Sequence, residues 1–398
     1  MRWLGFLVST AVLLAGCATQ QTDSALQAQE TSLQAKTLAA SSSSAASRPA
    51  RISRGIQQTH AVIRVYFGTD RKPMSSSDPA RAFGSQKAGG ITYGNIDISI
   101  PREHRMGALE RPSIWRLEFR PDPEKHLVLL SLNQQDKTQF FSEVLKRSRA
   151  GERPKAFVFI HGYNVSFEKA AKRTAQISYD LGFEGAPIFY SWPSHGTLPG
   201  YRNDEKTVEE SEPLIKQFLS DIAHRLDKEE IYLIAHSMGN RPTTRALASL
   251  LTEKPGLRSR FKEIILMAPD IDAKVFKNEI APRLVAPGQR ITLYASSEDI
   301  ALKGSKVLHK GQRLGDSSPQ ITVISGIESI DASNVDTSLL GHSYYADASS
   351  VLSDLFEVFR DKGAARSRSQ LTRIPLSSGE FFRFRTQKLQ TPRVADAD

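Results

Sequence analysis

The sequence predicts an α/β domain on a mostly parallel, eight-stranded sheet, with helices on both faces and antiparallel strands at the N-terminal side. Three observations predict it. From Lys155 onward, short runs of apolar residues alternate with longer amphipathic stretches. One of those runs, Ile231 to Ala235, leads directly into His236-Ser237-Met238-Gly239 and a helical segment. Another, Ala156 to Ile160, leads into His161-Gly162-Tyr163-Asn164.

The elements follow in order. Ala61 to Phe67, the alternation Ile96, Ile98, Ile100, and His126 to Leu132 have the β-branched and apolar texture of strands, and Thr138 to Arg149 has a helical period. The later candidate strands are Ala156 to Ile160, Pro187 to Tyr190, Ile231 to Ala235, Glu263 to Met267, Ile291 to Ala295 and Ile321 to Ser325. Between them lie helical stretches at Phe167 to Leu181, Val208 to Leu226 and Met238 to Leu251. Strands apolar on both faces and separated by helices require a parallel sheet covered on both sides. Gly363 to Asp398 reads either as a basic tail or as containing a strand at Glu380 to Arg385.

The N-terminus has a different character. Met1-Arg2-Trp3 precedes an apolar run, Leu4 to Ala15, that falls short of the roughly 20 residues a spanning helix needs. Leu14-Ala15-Gly16-Cys17 then resembles a bacterial lipobox, which implies export, cleavage before Cys17 and lipidation of its thiol. Two acyl chains make a stable anchor. Ala18 in place of aspartate implies the outer membrane if the source is Gram-negative. Cys17 is the only cysteine, so a disulfide framework is excluded. The expected organisation is a signal and lipidation site over 1–17, a flexible Gln/Ser/Thr-rich linker over 18–55, the catalytic domain over 56–362 and the tail over 363–398.

Composition narrows the function. With 39% hydrophobic and 24% charged residues the chain is not a multi-span membrane protein. Its net charge of +10 is spread without a nucleic-acid-binding motif, so the charge suits a solubilising or anionic-lipid-facing surface and no nucleic-acid partner is expected. No His-Glu-x-x-His or comparable ligand cluster occurs, and neither metal nor cofactor is expected.

The chemistry centres on Ser237. A serine on a sharp strand-to-helix turn needs small neighbours two residues either side, here Ala235 and Gly239. This is the nucleophile elbow of the α/β-hydrolase fold, with Ala235 departing from the usual glycine. A serine hydroxyl needs a general base. Of nine histidines, His342, beyond the last candidate strand and ahead of a helix, occupies the position of that base. The chain order Ser, acid, His puts the acid between them. Asp299, after the strand Ile291 to Ala295, fits, with Glu298 beside it and Asp270 and Asp272 as alternatives. The oxyanion donors are the amides of Met238 and Tyr163.

Phe159 to Phe167, Tyr190-Ser191-Trp192-Pro193-Ser194, Ala235 to Arg241 and Ala268-Pro269-Asp270-Ile271-Asp272 together resemble an uncharacterised bacterial α/β-hydrolase family of unknown function, over roughly Ala61 to Lys362. The resemblance implies the fold and the serine, and little about substrate.

The expected function is a lipid-anchored carboxylesterase or lipase-like enzyme acting on a small-molecule or lipid ester through an acyl-enzyme. Amidase or thioesterase chemistry on the same triad is the alternative. A non-catalytic envelope-binding lipoprotein and an interaction protein working through the basic tail are the others. The segment Pro193 to Pro213 is a candidate cap over the pocket. Oligomeric state has no signature in the sequence.

Overall fold

The computed structural model describes residues 59–113, 118, 120–196, 200–335, 349–360 and 363–385. The lipobox with Cys17, the linker, His342, residues 197–199 of the candidate cap and the last thirteen positions, 386–398, lie outside the described residues.

The strands are β1 His60–Pro73, β2 Phe83–Pro101, β3 Leu129–Gln135, β4 Lys155–Ile160, β5 Ala186–Ser191, β6 Glu230–His236, β7 Phe261–Met267, β8 Ile291–Ala295, β9 Glu328–Asp331, β10 Leu371–Leu376 and β11 Gly379–Phe384. They form one sheet in the order β10-β11-β9-β8-β7-β6-β4-β5-β1-β2-β3. From β11 to β1 every neighbouring pair is parallel. Antiparallel β2 and β3 complete the N-terminal edge, and β10 the other.

The principal helices are α1 Lys137–Ser148, α2 Phe167–Asp180, α3 Tyr201–Glu210, α4 Glu212–Arg225, α5 Asn240–Glu253, α6 Ile300–His309 and α7 Ser349–Phe359. Side chains along a strand point alternately to opposite faces. Accordingly Phe157, Phe159, Tyr232, Ile234, Ile265 and Met267 join one core with α2 and α7. Ala156, Val158, Ile160, Ile231, Leu233, Ile264 and Leu266 join the other with α1, α4 and α5. Burying each large aliphatic side chain contributes about 1.5–3 kcal/mol, so this double-sided pattern stabilises the central strands most. Helix entries are set locally: Asp136 accepts the Gln139 amide at 2.9 Å, and Ser166 accepts the Lys169 amide at 3.2 Å.

Three expectations are corrected. The sheet has eleven strands rather than eight, and two of them, β10 and β11, form a C-terminal hairpin with β11 parallel to β9. The domain therefore runs past Lys362, and Arg368 shows why. Fully buried, it donates to Asp354 at 3.1 Å, Thr292 at 3.0 Å and Glu328 at 3.3 Å, tying the segment to β8, β9 and α7. The parallel strand that follows β8 is Glu328–Asp331 and not Ile321 to Ser325. Ile321 and Ile324 are buried side chains, but Gly326, at φ +83°, turns the chain so that the following residues take the ladder beside β8. Periodicity alone does not choose between adjacent segments. The single helix expected over Val208 to Leu226 is two, divided at Ser211, where Pro213 opens α4 and the Ser211 hydroxyl donates to Asp70 at 2.6 Å.

Candidate active site

The chain leaves β4 to build β5 on one side and β6 on the other, so the strand order reverses at β4. In open α/β sheets such a switch point, at the carboxyl ends of the strands, is where ligands bind. Ile160 pairs with Ala235, so the loops after β4 and β6 emerge side by side.

Ser237 ends β6 in the left-handed region, at φ +48°, and is 4% exposed. That conformation costs a non-glycine residue about 1–2 kcal/mol and persists only where its surroundings impose it. They do. The Ser237 carbonyl accepts the Asp270 amide at 3.2 Å and the Asn240 side-chain amide at 3.1 Å. A Cβ on Gly239 would lie 2.1 Å from the His161 carbonyl oxygen, and one on Gly162 would lie 2.8 Å from Ser237 Cβ. Small residues are thus required where the two loops touch. Buried Met238 follows in the tight turn Ser237–Gly239, ahead of the fourteen-residue α5, whose N-terminus favours developing negative charge. Pro242 falls in the first turn of α5, where no intrahelical amide bond is lost.

The β4 loop is held from below by a polar network. His161 Nδ1 donates to the Gly162 carbonyl at 2.8 Å, and its Nε2 lies 3.0 Å from the Ser191 hydroxyl. Its ring stacks on Trp192, and its carbonyl accepts the indole N–H at 2.7 Å. Burial, aided by the Arg71 charge, pushes its pKa well down, so His161 is a neutral structural group. Arg71 is itself buried, which lowers its pKa to about 9. It donates to Ser191 Oγ at 2.9 Å and to the carbonyls of Gly84, Ser194 and Val165 at 2.8–3.0 Å. Asp204, buried at the start of α3, accepts the Ser194 hydroxyl at 2.6 Å and the His195 amide at 2.8 Å. Neither Arg71 nor Asp204 carries a sequence signal; both are single polar residues whose partners are distant along the chain.

The carboxylates differ in their surroundings. Asp299 follows β8, two strand spacings from β6, about 10 Å. It is 4% exposed and caps α6 by accepting the Leu302 amide at 3.0 Å. Its neighbour Glu298 is exposed. Asp270 accepts the Tyr201 hydroxyl at 2.6 Å, the Ser305 hydroxyl at 2.5 Å and Arg241 Nη2 at 3.0 Å, with Arg313 Nε at 3.2 Å. Asp272 caps the turn Ala273–Val275 through the amides of Lys274 and Val275. The Tyr163 ring packs edge-on against Tyr201, with centroids 5.2 Å apart. Ser237, Met238 and the Gly162-Tyr163 loop are therefore brought together, with Asp270 bracing them from the β7 loop.

Next to this junction is a cleft of about 500 Å³ between α3, α5, the end of α6 and the segment beginning at Ile271. The candidate cap accordingly folds as α3 and the start of α4, and Arg202, Glu205, Lys206 and Glu209 of α3 line that cleft. Among the described residues no group of three or more His, Cys, Asp or Glu side chains is placed to hold a metal ion.

A parallel sheet reversing at β4, with a strained serine between β6 and α5, defines an α/β hydrolase. More specifically, residues 133–359, over half of the chain, match the family described as alpha/beta hydrolase of unknown function (DUF900), and the chain belongs to that family. Similar solved structures include a hyperthermophilic esterase from the archaeon Pyrobaculum calidifontis, at 14% identity and TM-score 0.33, over 55% of this chain and 80% of that one. The carboxylesterase CesB (YbfK) from Bacillus subtilis is 10% identical, with TM-score 0.30, over 57% and 98%. EstE1, a thermophilic carboxylesterase from a metagenomic library, is 10% identical, with TM-score 0.31, over 75% and 87%. Likeness at this level says nothing about substrate. No curated protein matches the sequence.

Proposed function

We propose that this hydrolase cleaves carboxyl esters through an acyl-enzyme on Ser237, with His342 as general base and Asp299 orienting it. In this reading Ser237 Oγ attacks the ester carbonyl as His342 takes its proton. The amides of Met238 and Tyr163 bind the tetrahedral oxyanion, and the alcohol leaves with the proton from His342. Water then repeats the sequence on the acyl-enzyme. The observation that carries the proposal is Ser237 held at φ +48° between a buried strand and a helix, because such strain is maintained at sites where a side chain must be presented. Asp299 is preferred as the acid because it follows β8 in the chain order serine, acid, histidine, whereas Asp270 is paired with two arginines.

We further propose that the substrate is a lipid ester met at a membrane to which Cys17 anchors the enzyme, at the outer membrane if the source is Gram-negative. No helix among the described residues is long and apolar enough to cross a membrane, so attachment rests on the lipobox and on the surface. Ile300, Val307 and Leu308 of α6 are 73%, 80% and 42% exposed and share one helix face, flanked by Lys303 and Lys310. An exposed apolar stripe bordered by lysines suits an anionic bilayer.

A fluorophosphonate probe tests the chemistry. Labelling of the native chain and none of Ser237→Ala is expected; equal labelling of both, or of neither, overturns it. On a panel of esters, amides and thioesters, ester turnover that rises with acyl-chain length or on micelles is expected, and preference for short soluble esters overturns the lipid substrate. Incorporation of a labelled fatty acid that is lost in Cys17→Ala tests the anchor.

A further inference from the structure

We propose that the cleft between α3, α5 and the end of α6 is the subsite for an anionic group on the ligand, a phosphate or carboxylate, received by Arg313, Arg202 and Arg245.

The basic side chains on its walls are Arg202, Lys206, Arg241, Arg245, His309 and Arg313, facing Glu205, Glu209 and Asp272. What matters is which charges are already spent. Arg241 is fully committed: Nε donates to the Asp270 carbonyl at 2.6 Å, Nη1 to Glu205 at 2.7 Å, and Nη2 to the Tyr201 hydroxyl at 2.9 Å and Asp270 Oδ2 at 3.0 Å. Glu205 also pairs with His309 Nε2 at 2.7 Å. Asp272 Oδ1 accepts two backbone amides. Glu209 pairs with Arg245 at 3.8 Å, the two side chains being 55% and 43% exposed. Two of the three acids are thus held in fixed internal bonds, and the third is loosely paired.

The arginines are less completely used. Arg313 is 4% exposed, and its Nε reaches Ser305 Oγ at 2.9 Å and Asp270 Oδ1 at 3.2 Å, but its two Nη atoms donate to no described residue. Arg202, exposed in the first turn of α3, makes no ion pair among the described residues. Arg313 lines the cleft, and an anion seated there accepts charge-assisted hydrogen bonds from its outer nitrogens. The planar fork of arginine matches the oxygens of a carboxylate or phosphate, so both belong to one ligand chemistry.

The cleft adjoins the elbow. Its residues Ile271 and Asp272 follow Asp270, whose amide holds the Ser237 carbonyl at 3.2 Å. Tyr201, bonded to Asp270, packs against Tyr163 of the proposed oxyanion loop. Its volume is in the range of small-ligand sites. As the substrate's subsite, the cleft rests on the ester-hydrolase reading; as an anion site, it stands alone.

The test uses the full chain and inorganic phosphate, titrated by calorimetry. Saturable binding is expected, weakened about tenfold or more in Arg313→Gln and in the paired change Arg202→Gln with Arg245→Gln, whose exposed sites spare the fold. No saturable binding, or affinity unchanged in a folded paired variant, overturns the subsite. A kinetic arm compares a neutral ester with the same ester bearing a terminal carboxylate. The paired variant is expected to raise KM about tenfold for the charged ester only, leaving kcat for the neutral one unchanged. Equal effects on both esters overturn the assignment. Phosphatidylglycerol vesicles that displace phosphate point to a lipid headgroup, and vesicles that do not point to a soluble anion; either supports the cleft. Arginine-dependent phosphate binding without fluorophosphonate labelling leaves the anion site standing and removes the hydrolase reading, and the reverse result does the opposite.

Discussion

Gly239 lies so close to His161 that a Cβ on the glycine would stand 2.1 Å from the histidine carbonyl oxygen. The turn after β6 and the loop after β4 are therefore a single packed unit. Gly239→Ala is expected to push them apart, destabilising the protein by about 1–3 kcal/mol and slowing probe labelling at Ser237 by a hundredfold or more, on the order of the cost of one misplaced donor. Urea unfolding and labelling rates measure the two effects. Native-like values for both contradict the close contact.

Asp270 and Asp299 are expected to separate stability from turnover. Asp270→Asn weakens the partner of two arginines that are nearly buried, and truncation to alanine is expected to cost about 3–5 kcal/mol. Asp299→Asn is expected to lower kcat by roughly 10⁴-fold while the fold survives, as for loss of a triad acid. Melting temperature and kcat read side by side for both variants decide it. A large kcat loss confined to Asp270→Asn reverses the assignment.

His104 gives a pH dependence with a definite sign. Burial lowers its pKa, but hydrogen bonds to Asp180 at 2.8 Å and Glu110 at 2.9 Å outweigh this and raise it to about 9. A base whose folded pKa is raised stabilises the native state below its unfolded pKa, about 6.5, and loses that contribution as pH climbs through the folded value. The melting-temperature gap between the native chain and His104→Gln should be widest near about pH 6 and shrink toward about pH 10. A constant gap across that range contradicts the ion pairing.

The C-terminal hairpin is expected to be indispensable. A chain ending after Lys362 lacks Arg368 and leaves Asp354 and Glu263, whose pKa values burial raises, without that cation. Such a chain should fail to fold, and Arg368→Ala alone should cost about 3–5 kcal/mol. A truncated chain that melts cooperatively like the native one would falsify this.

The sequence by itself determined the local chemistry. Strands β4 to β8 were legible because residues buried on both faces leave unbroken apolar runs. The elbow was legible because its small neighbours, Ala235 and Gly239, sit two residues either side of Ser237. Tertiary structure decided what depends on distant partners. Glu328–Asp331 has one large apolar side chain in four residues, so only its place beside β8 makes it a strand. Membership of β10 and β11 in the sheet, and the burial of Arg368, depend on carboxylates from three other elements. Asp270 was legible as an acid near the serine, but not as the partner of Tyr201, Arg241, Ser305 and Arg313. Apolar periodicity repeats within a few residues and survives in one dimension. A lone charged side chain repeats nothing, and its role is set by whichever residues folding brings to it.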